Sequence, residues 1–433
     1  MTPRLLRMVL TNRLGVLDTA AAQGDAVRIG FGARELYFFN HPDYAKHVLA
    51  DNSGNYHKGV GLVQARRALG DGLLTSEGDL WRMQRKTVQP AFQHKRISRQ
   101  SDAIVAEGAK LVARLKAHAG GEPVNVVSEM TDLTLGVLGQ TLLDTDLSAY
   151  SSIGEAFEAV QDQAMFEMVT LGMVPLWAPL PKQRRFRRAR RELDRIVGHM
   201  VTEHGGRAED GDDVLSRLIV STRKETDPAV GRRRMRDELV TLLLAGHETT
   251  ASTLGWSFYL LDRHPEVLER LREEVTSVLG DRMPVLEDLN ELLYTGMVIQ
   301  EAMRLYPPVW LLSRVAQAED EVGDYHVPAG ADVLVSPYTM HRHPKFWTDP
   351  DRFDPDRFDP AHPETRPRYA HIPFGAGPRF CVGNHLGMME ATFVLAMVVR
   401  ELRLSKVPGH RVVPEAMLSL RLGGGLPMNI TEY

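Results

Sequence analysis

The sequence predicts a mainly α fold, one large helix-rich domain carrying a small strand-rich part. Three observations carry that expectation. A helical pattern runs almost unbroken from Trp81 to Ser221, one unusually long helical candidate covers Arg232–Leu261, and short alternating segments are confined to about 26–60, 309–340 and the C-terminal 405–433. The helix-rich part is expected at about 77–305 and 383–402. At 433 residues the chain exceeds the roughly 250–300 residues at which hydrophobic cores usually divide. No internal repeat and no long low-complexity linker interrupts it, so a single domain over 1–433 is expected, with no fused electron-transfer module.

Each element follows from local chemistry. DAVRIGFG and RELYFFN alternate apolar and polar residues around Gly32, which predicts a hairpin. HPDYAKHVLAD opens with turn chemistry and continues at helical spacing. The helical stretch after Trp81 is broken at Gly120–Gly121 and by the Pro-rich VPLWAPLPKQ, after which RRFRRARRELDRIVGHM presents a dense positive face, expected as solvated helix surface. The Arg232–Leu261 helix is bounded by Gly231 and Pro265. At about 1.5 Å per residue it spans about 45 Å. Its LVTLLLAG centre is apolar on every side, a sign of burial. A helix near Leu289–Leu305 stops before Pro307–Pro308. Short strands follow in EVGDYHVPAG and ADVLVSP, then an irregular Pro/Asp/Phe-rich segment at 344–363, a Gly-rich loop, and a helix from about Gly383 to Leu402.

Composition excludes several function classes. A chain with 43% hydrophobic and 25% charged residues has a globular balance. Lys+Arg 52 against Asp+Glu 56 gives −4, so no basic field argues for nucleic acid. Only 10 of the 52 are Lys, an arginine bias read as genomic base composition. One cysteine, Cys381, excludes an internal disulfide and any zinc site built on several thiolates, which points to a cytoplasmic chain. No apolar run approaches the roughly 18 residues of a membrane span. The start, MTPRLLRMVLTNRLGVLD, lacks the apolar stretch and cleavage site of a secretory signal and fits at most a weak amphipathic surface helix.

The strongest signal surrounds that cysteine, in Phe374-Gly-Ala-Gly-Pro-Arg-Phe-Cys381-Val-Gly383. A lone Cys is usually a small buried hydrophobe. Here three glycines permit close backbone approach, and the following helix N-terminus favours a thiolate. A buried thiolate needs a metal or another cation beside it. Elsewhere, Glu248, Thr249 and Thr250 sit midway along the apolar helix, where an acid and two hydroxyls are unfavourable unless satisfied or used. A metalloprotease H-E-x-x-H fails, because Ala251 stands where the second His is required. Neither GFGARE nor GAGPRF completes G-x-G-x-x-G, which removes a dinucleotide-binding dehydrogenase. Glu301 and Arg304 share a helical face three residues apart, and Trp81 and Arg85 share one four apart, close enough to reach a common anion.

The ten-residue loop resembles the cysteine loop of the cytochrome P-450 (haem-thiolate monooxygenase) family, F-x-x-G-x-R-x-C-x-G, with every fixed position present. The resemblance implies that Cys381 is the axial ligand of a haem iron and pushes electron density toward O–O cleavage. It also implies that Arg379 pairs with a haem propionate, Phe374 shields the sulfur, and Gly377 and Gly383 admit the backbone. Four further segments match in family order. Ala245-Gly246-His247-Glu248-Thr249-Thr250 is similar to the oxygen-binding motif, which implies a groove at Ala245, a Thr249 hydroxyl that contacts the oxygen molecule and a Glu248 carboxylate that helps relay protons. Glu301, Arg304 and the Arg357 of Pro355-Asp356-Arg357-Phe358 resemble the family's structural glutamate–arginine set. Trp81 with Arg85, and Arg314, occupy positions that contact propionates in relatives.

The implied protein is a soluble, bacterial-type monooxygenase with a P-450-type fold and haem b as cofactor. It would take O2 as co-substrate, with two electrons drawn from NAD(P)H through a ferredoxin or flavodoxin and its reductase. A monomer is expected, with a basic partner-docking face near the cysteine loop. The substrate is expected to be an apolar small molecule such as a terpenoid, fatty acyl chain, polyketide or aromatic alkaloid, hydroxylated, desaturated or coupled. Contacts are expected from the 55–75 loop, the 165–177 region with Met165, Met168, Met173 and Trp177, Leu242–Ala245, Val309–Leu312 and the Leu420–Leu426 turn. Two alternatives share the scaffold, a peroxide-driven peroxygenase and a non-catalytic haem sensor. Glu248 and Thr249 count against both.

Overall fold

The computed structural model describes residues 8 and 11–433 other than 32, 33, 148, 149, 151, 207, 210, 212 and 362–364. A 36-residue helix, Pro228–Arg263, forms its central axis. Asp227 starts that helix by accepting from the Ala229 N–H at 2.8 Å, with Pro228 in the first turn, where a missing N–H costs nothing. These capping residues extend it beyond the Arg232–Leu261 run marked by apolar residues alone. The central run Leu239–Leu244 is buried throughout. Helices Val126–Leu138, Leu293–Leu305 and Asn384–Glu401 pack around it.

The predicted interruptions coincide with helix ends. His94–Ala117 stops before Gly120–Gly121, and the Pro-rich segment separates Ile153–Val169 from Pro181–His204. The helix expected from Leu289 begins at Leu293, preceded by a 3-10 turn over Leu286–Asn290. HPDYAKHVLAD divides into a helix, Pro42–Lys46, and a wider π turn, His47–Asp51.

Strands fall mainly at the two ends of the chain and after Pro307–Pro308. The early ones are β1 (Ala26–Phe31), β2 (Arg34–Phe39) and β3 (Tyr56–Lys58), and a two-residue β4 (Val124–Asn125) lies among the helices. The next four are β5 (Leu312–Ala316), β6 (Asp320–Val322), β7 (Tyr325–Val327) and β8 (Asp332–Val335). The last are β9 (Leu402–Lys406), β10 (Val413–Ala416), β11 (Leu420–Gly423) and β12 (Pro427–Glu432). The largest sheet has the order β1-β2-β8-β5-β3, with β1 and β2 antiparallel from Ala26↔Phe39 to Phe31↔Arg34. The tip of this hairpin, including Gly32, and most of the proposed N-terminal surface helix lie outside the described residues. β3 and β5 run at the mouth of the cavity described below, so this sheet carries Lys58 and Arg314 to it.

Helix Leu293–Leu305 is tied to the irregular segment after β8 by a buried charge cluster. Arg304 donates from Nε to Glu301 Oε2 at 2.6 Å and from Nη2 to Oε1 at 2.8 Å, and both side chains are fully buried. The remaining Arg304 hydrogen bonds go to the carbonyls of His341, Pro350 and Arg352. Glu301 Oε1 also accepts from the Asp354 N–H at 2.9 Å and lies 3.5 Å from Arg357 Nε, while Arg357 donates to the Asp349 carbonyl. The three sequence-predicted residues therefore meet. Breaking a buried pair by removing one partner costs roughly 3–5 kcal/mol, because it strands the other charge. Glu301→Ala is accordingly expected to lower the urea midpoint by a corresponding amount at unchanged denaturant dependence, and a shift below ~1 kcal/mol would contradict this role.

Candidate active site

A cavity of about 310 Å³ lies between the middle of the long helix and the cysteine loop. One wall is Thr241, Leu242, Ala245 and Thr249 of the long helix. Leu138 and Leu142 face it from helix Val126–Leu138 and the π turn Gly139–Leu143. Ile299, Met303, Val309 and Leu312 close another side, and Leu73 and Leu74 a third. The lining is overwhelmingly apolar, as a pocket for an apolar ligand requires.

Cys381 opens into this cavity at the end of its loop. The Cys381 N–H donates to the Phe374 carbonyl at 3.0 Å, and the Phe380 N–H to the Gly377 carbonyl at 3.0 Å, which closes the loop on itself. Gly377 has φ +64, and a Cβ there would overlap the Leu49 carbonyl, so both backbone conformation and space demand glycine. Helix Asn384–Glu401 begins immediately after Gly383. Burial pushes the Cys381 thiol pKa up, while the Gly383 N–H and Arg85 pull it back. A thiolate at this position therefore calls for a cation on its cavity side.

Cations crowd one rim. Lys58, Arg85, Arg314 and Arg379 all line the cavity. The carboxylate closest to them is Glu77, which pairs with Arg379 and accepts from the Lys58 N–H. Arg379 stacks over Trp81 at 4.0 Å, and Arg85 donates to the Phe380 carbonyl at 2.9 Å. The Arg314 guanidinium is pushed down to about 10 by burial and by Arg379, with Glu77 opposing. The Lys58 ammonium is held well below its usual range by burial and then by Arg314 and Arg379. Four basic side chains facing one acid suit a ligand that brings anionic groups of its own.

Thr249 and Glu248 are neighbours in sequence but point to different places. Thr249 Oγ1 faces the cavity and donates to the Ala245 carbonyl at 2.8 Å, competing with the helix's own ladder. Glu248 lies behind the wall, where its Oε2 accepts from Gln161 Nε2 at 2.5 Å. Burial raises its carboxyl pKa, with Ser419 and Arg421 opposing.

A soft sulfur ligand at the cavity floor, an apolar surround and an excess of cations at one edge fit a flat, mainly apolar macrocycle that carries a central metal cation and two carboxylates. These residues therefore suit haem. The cytochrome P450 family model matches residues 15–426. This chain is a member of the cytochrome P450 family. Cyclooctatin synthase of Streptomyces melanosporofaciens is 36% identical over 415 residues, covering 95% of this chain and 89% of that protein. Cyclooctat-9-en-7-ol 5-monooxygenase of the same organism is 36% identical over 92% of this chain and 86% of its own length. Pentalenene oxygenase of Streptomyces avermitilis is 32% identical over 94% and 90%. The chain is thus a P450 monooxygenase, and use of haem iron and O2 follows from the family. Among the described residues, no helix of this P450 is long and apolar enough to cross a membrane.

Some expected contacts lie elsewhere. Met165 is buried, Met168 packs against Gly61, and Met173 and Trp177 are each 77% exposed; none of the four lines the cavity. The chain leaves helix Ile153–Val169 after Val169 and turns outward, which removes the later two. The Leu420–Leu426 turn is also absent from the lining, because Leu420, Leu422 and Leu426 are spent in the core.

Other residues were missed. Lys58 and Glu77 carry no motif, and Glu390, nine residues beyond Cys381, lines the cavity with its carboxyl pKa raised well above the usual range by burial. An acid inside an apolar helix was the available signal for Glu390. Asp237 and Glu238 were also overlooked. Asp237 Oδ2 accepts from the Asp71 N–H at 2.8 Å and Glu238 Oε2 from the Leu73 N–H at 3.2 Å, so two carboxyls of the long helix hold the loop that supplies Leu73 and Leu74. Gly70, with φ +83, lies so close that a Cβ would overlap the Asp237 carboxyl.

Two tests follow. Gly377→Ala is expected to destabilise by roughly 2–5 kcal/mol, from left-handed strain and overlap together. A variant with an unchanged urea midpoint would refute that constraint. Burial raises the Glu238 pKa from 4.5 to about 8. The folded state then keeps a proton that the unfolded chain releases, so this group's stability contribution is intact below about pH 4.5 and is lost as pH rises through about 8. Glu238→Gln is expected to flatten the decline of Tm over that window; an identical slope would rule the assignment out.

Proposed function

We propose that this P450 hydroxylates, desaturates or couples a terpenoid, with haem b as cofactor and electrons delivered from NAD(P)H by a separate ferredoxin or flavodoxin and its reductase. The observation that carries the reading is the apolar cavity with Thr249 on its wall and Cys381 at its floor. The names of the relatives support the substrate class, since they refer to cyclooctatin, cyclooctat-9-en-7-ol and pentalenene. We take the working form as a cytoplasmic, single-domain monomer.

Bound haem supplies electron transfer to O2 and delivery of one oxygen atom to the substrate. The protein's share falls to named side chains. Cys381 would supply the thiolate to iron, and the Gly383 N–H and Arg85 favour its charged form. Arg314, Arg379 and Arg85, with Trp81 beneath Arg379, would hold the two propionates and offset their charge. Phe374 and Gly377 fix the sulfur's position. Thr249 presents a hydroxyl on the cavity side, beside the small Ala245, from which it can hold a proton near the reacting oxygen. Glu248, with Gln161, holds a proton reserve behind the wall, its raised pKa keeping it protonated at higher pH than an exposed carboxyl. The apolar walls exclude water and orient the substrate.

The first measurement is the ferrous carbon monoxide difference spectrum. The red-shifted Soret band of thiolate ligation is expected in the native chain and absent in Cys381→Ala; a variant retaining it would refute the ligand assignment. Thr249→Ala is expected to keep that band while most reduced cofactor is consumed without product. Fully coupled turnover in that variant would remove Thr249 from proton delivery. Terpene alcohols or hydrocarbons should shift the ferric Soret band on titration, and a response to fatty acids alone would displace the terpenoid reading.

A further inference from the structure

Residues 71–76 join the apolar wall of the cavity to its cationic rim. Leu73 and Leu74 line the cavity in the middle of this segment, and the Ser76 carbonyl at its end accepts from Arg379 Nη1 at 3.0 Å. Glu77 follows, paired with Arg379 and accepting from the Lys58 N–H at 2.7 Å. The segment has little slack. The Thr75 and Ser76 N–H groups both donate to the Gly72 carbonyl, at 3.0 and 2.9 Å, and a Cβ on Gly72 would overlap Thr241 and the Asp237 carbonyl of the long helix.

One side chain closes this segment end to end. Gln84 lies on helix Gly78–Val88, directly before Arg85, and is buried. Its Nε2 donates to the Asp71 carbonyl at 2.7 Å, and its Oε1 accepts from the fully buried Ser76 hydroxyl at 2.5 Å. Asp71 is held from the other direction by Asp237, which accepts its N–H. A single planar amide thus brackets the loop that carries the two leucines. Moving either end strands a buried polar group, so a displacement of Leu73 or Leu74 is not absorbed within the loop. It passes to Ser76, whose carbonyl Arg379 binds.

We propose that Gln84 is a positioning residue that couples the occupant of the chamber to Arg379, so that a ligand pressing on Leu73 and Leu74 alters how Arg379 holds a haem propionate. The inference rests on the haem reading of the cavity. Gln84 itself does not line the cavity and acts through Asp71 and Ser76. An unbranched apolar side chain of similar length would fill the same space without either hydrogen bond, which separates coupling from packing.

The test uses the full haem-loaded chain, with Gln84→Met to remove both bonds at similar volume and Ser76→Ala to remove one. Phenylimidazole is the probe, titrated by its shift of the ferric Soret band, and the propionate bending bands in resonance Raman spectra report the haem edge without turnover. In the native chain the probe is expected to shift those bands. In Gln84→Met that shift is expected to fall by more than half and probe affinity to drop about tenfold, with Ser76→Ala intermediate. The red-shifted carbon monoxide band, retained in both variants, is the folding control. Propionate bands that ignore the probe in the native chain, or respond to it undiminished in Gln84→Met, overturn the proposal and leave the haem reading standing. Where Gln84→Met loses the carbon monoxide band, Ser76→Ala decides, and an undiminished response there overturns the proposal. A native chain without haem bands overturns the haem reading and this inference with it.

Discussion

The buried Glu301–Arg304 pair is the constraint on which the cysteine side of the molecule depends. Arg304 spends its donors on Glu301 and on three carbonyls of an otherwise irregular segment, so a stretch with little regular structure is positioned by one side chain. The link continues toward the active site. His341, whose carbonyl Arg304 holds, accepts the Ile372 N–H on Nε2 at 2.9 Å, two residues before the cysteine loop begins at Phe374. Burial, with His371 and Arg304 nearby, keeps His341 neutral, which that acceptor role requires. The sulfur position is therefore set by a polar chain that water does not reach.

Above that floor, charge and apolarity are separated. Cations gather on one edge where β3, β5 and the cysteine loop converge, and the other walls carry almost no charge. This asymmetry gives an anionic, flat ligand only one favourable orientation, and leaves the opposite side to dispersion and shape. Glu77 tempers the repulsion among Lys58, Arg314 and Arg379 and so allows them to sit together before any ligand is bound.

Legibility in the sequence followed the range of the interactions. The long helix, the hairpin β1–β2 and the helix after Cys381 were readable because periodicity, caps and glycines act locally. Short, dense motifs singled out Cys381, Thr249 and the Glu301–Arg304 pair, and the structure places the first two on the cavity lining and joins the last two in a buried pair. Lys58, Glu77 and the Asp237–Glu238 pair escaped, since each acts on residues far along the chain and only the fold reveals the partner. Met173 and Trp177 misled for the converse reason. An apolar run near a predicted pocket reads as lining, and only the direction of the chain after Val169 shows that it faces outward.

The loop carrying Leu73 and Leu74 is fastened to the long helix through its main chain, at the Asp71 and Leu73 N–H groups. Neither fastening uses the leucine side chains themselves. The main-chain fastening of this wall therefore does not depend on which side chains stand at 73 and 74, although both leucines also pack against the core. Evolution, or a protein engineer, can reshape the chamber at these two positions within the room the core leaves, without first rebuilding the frame.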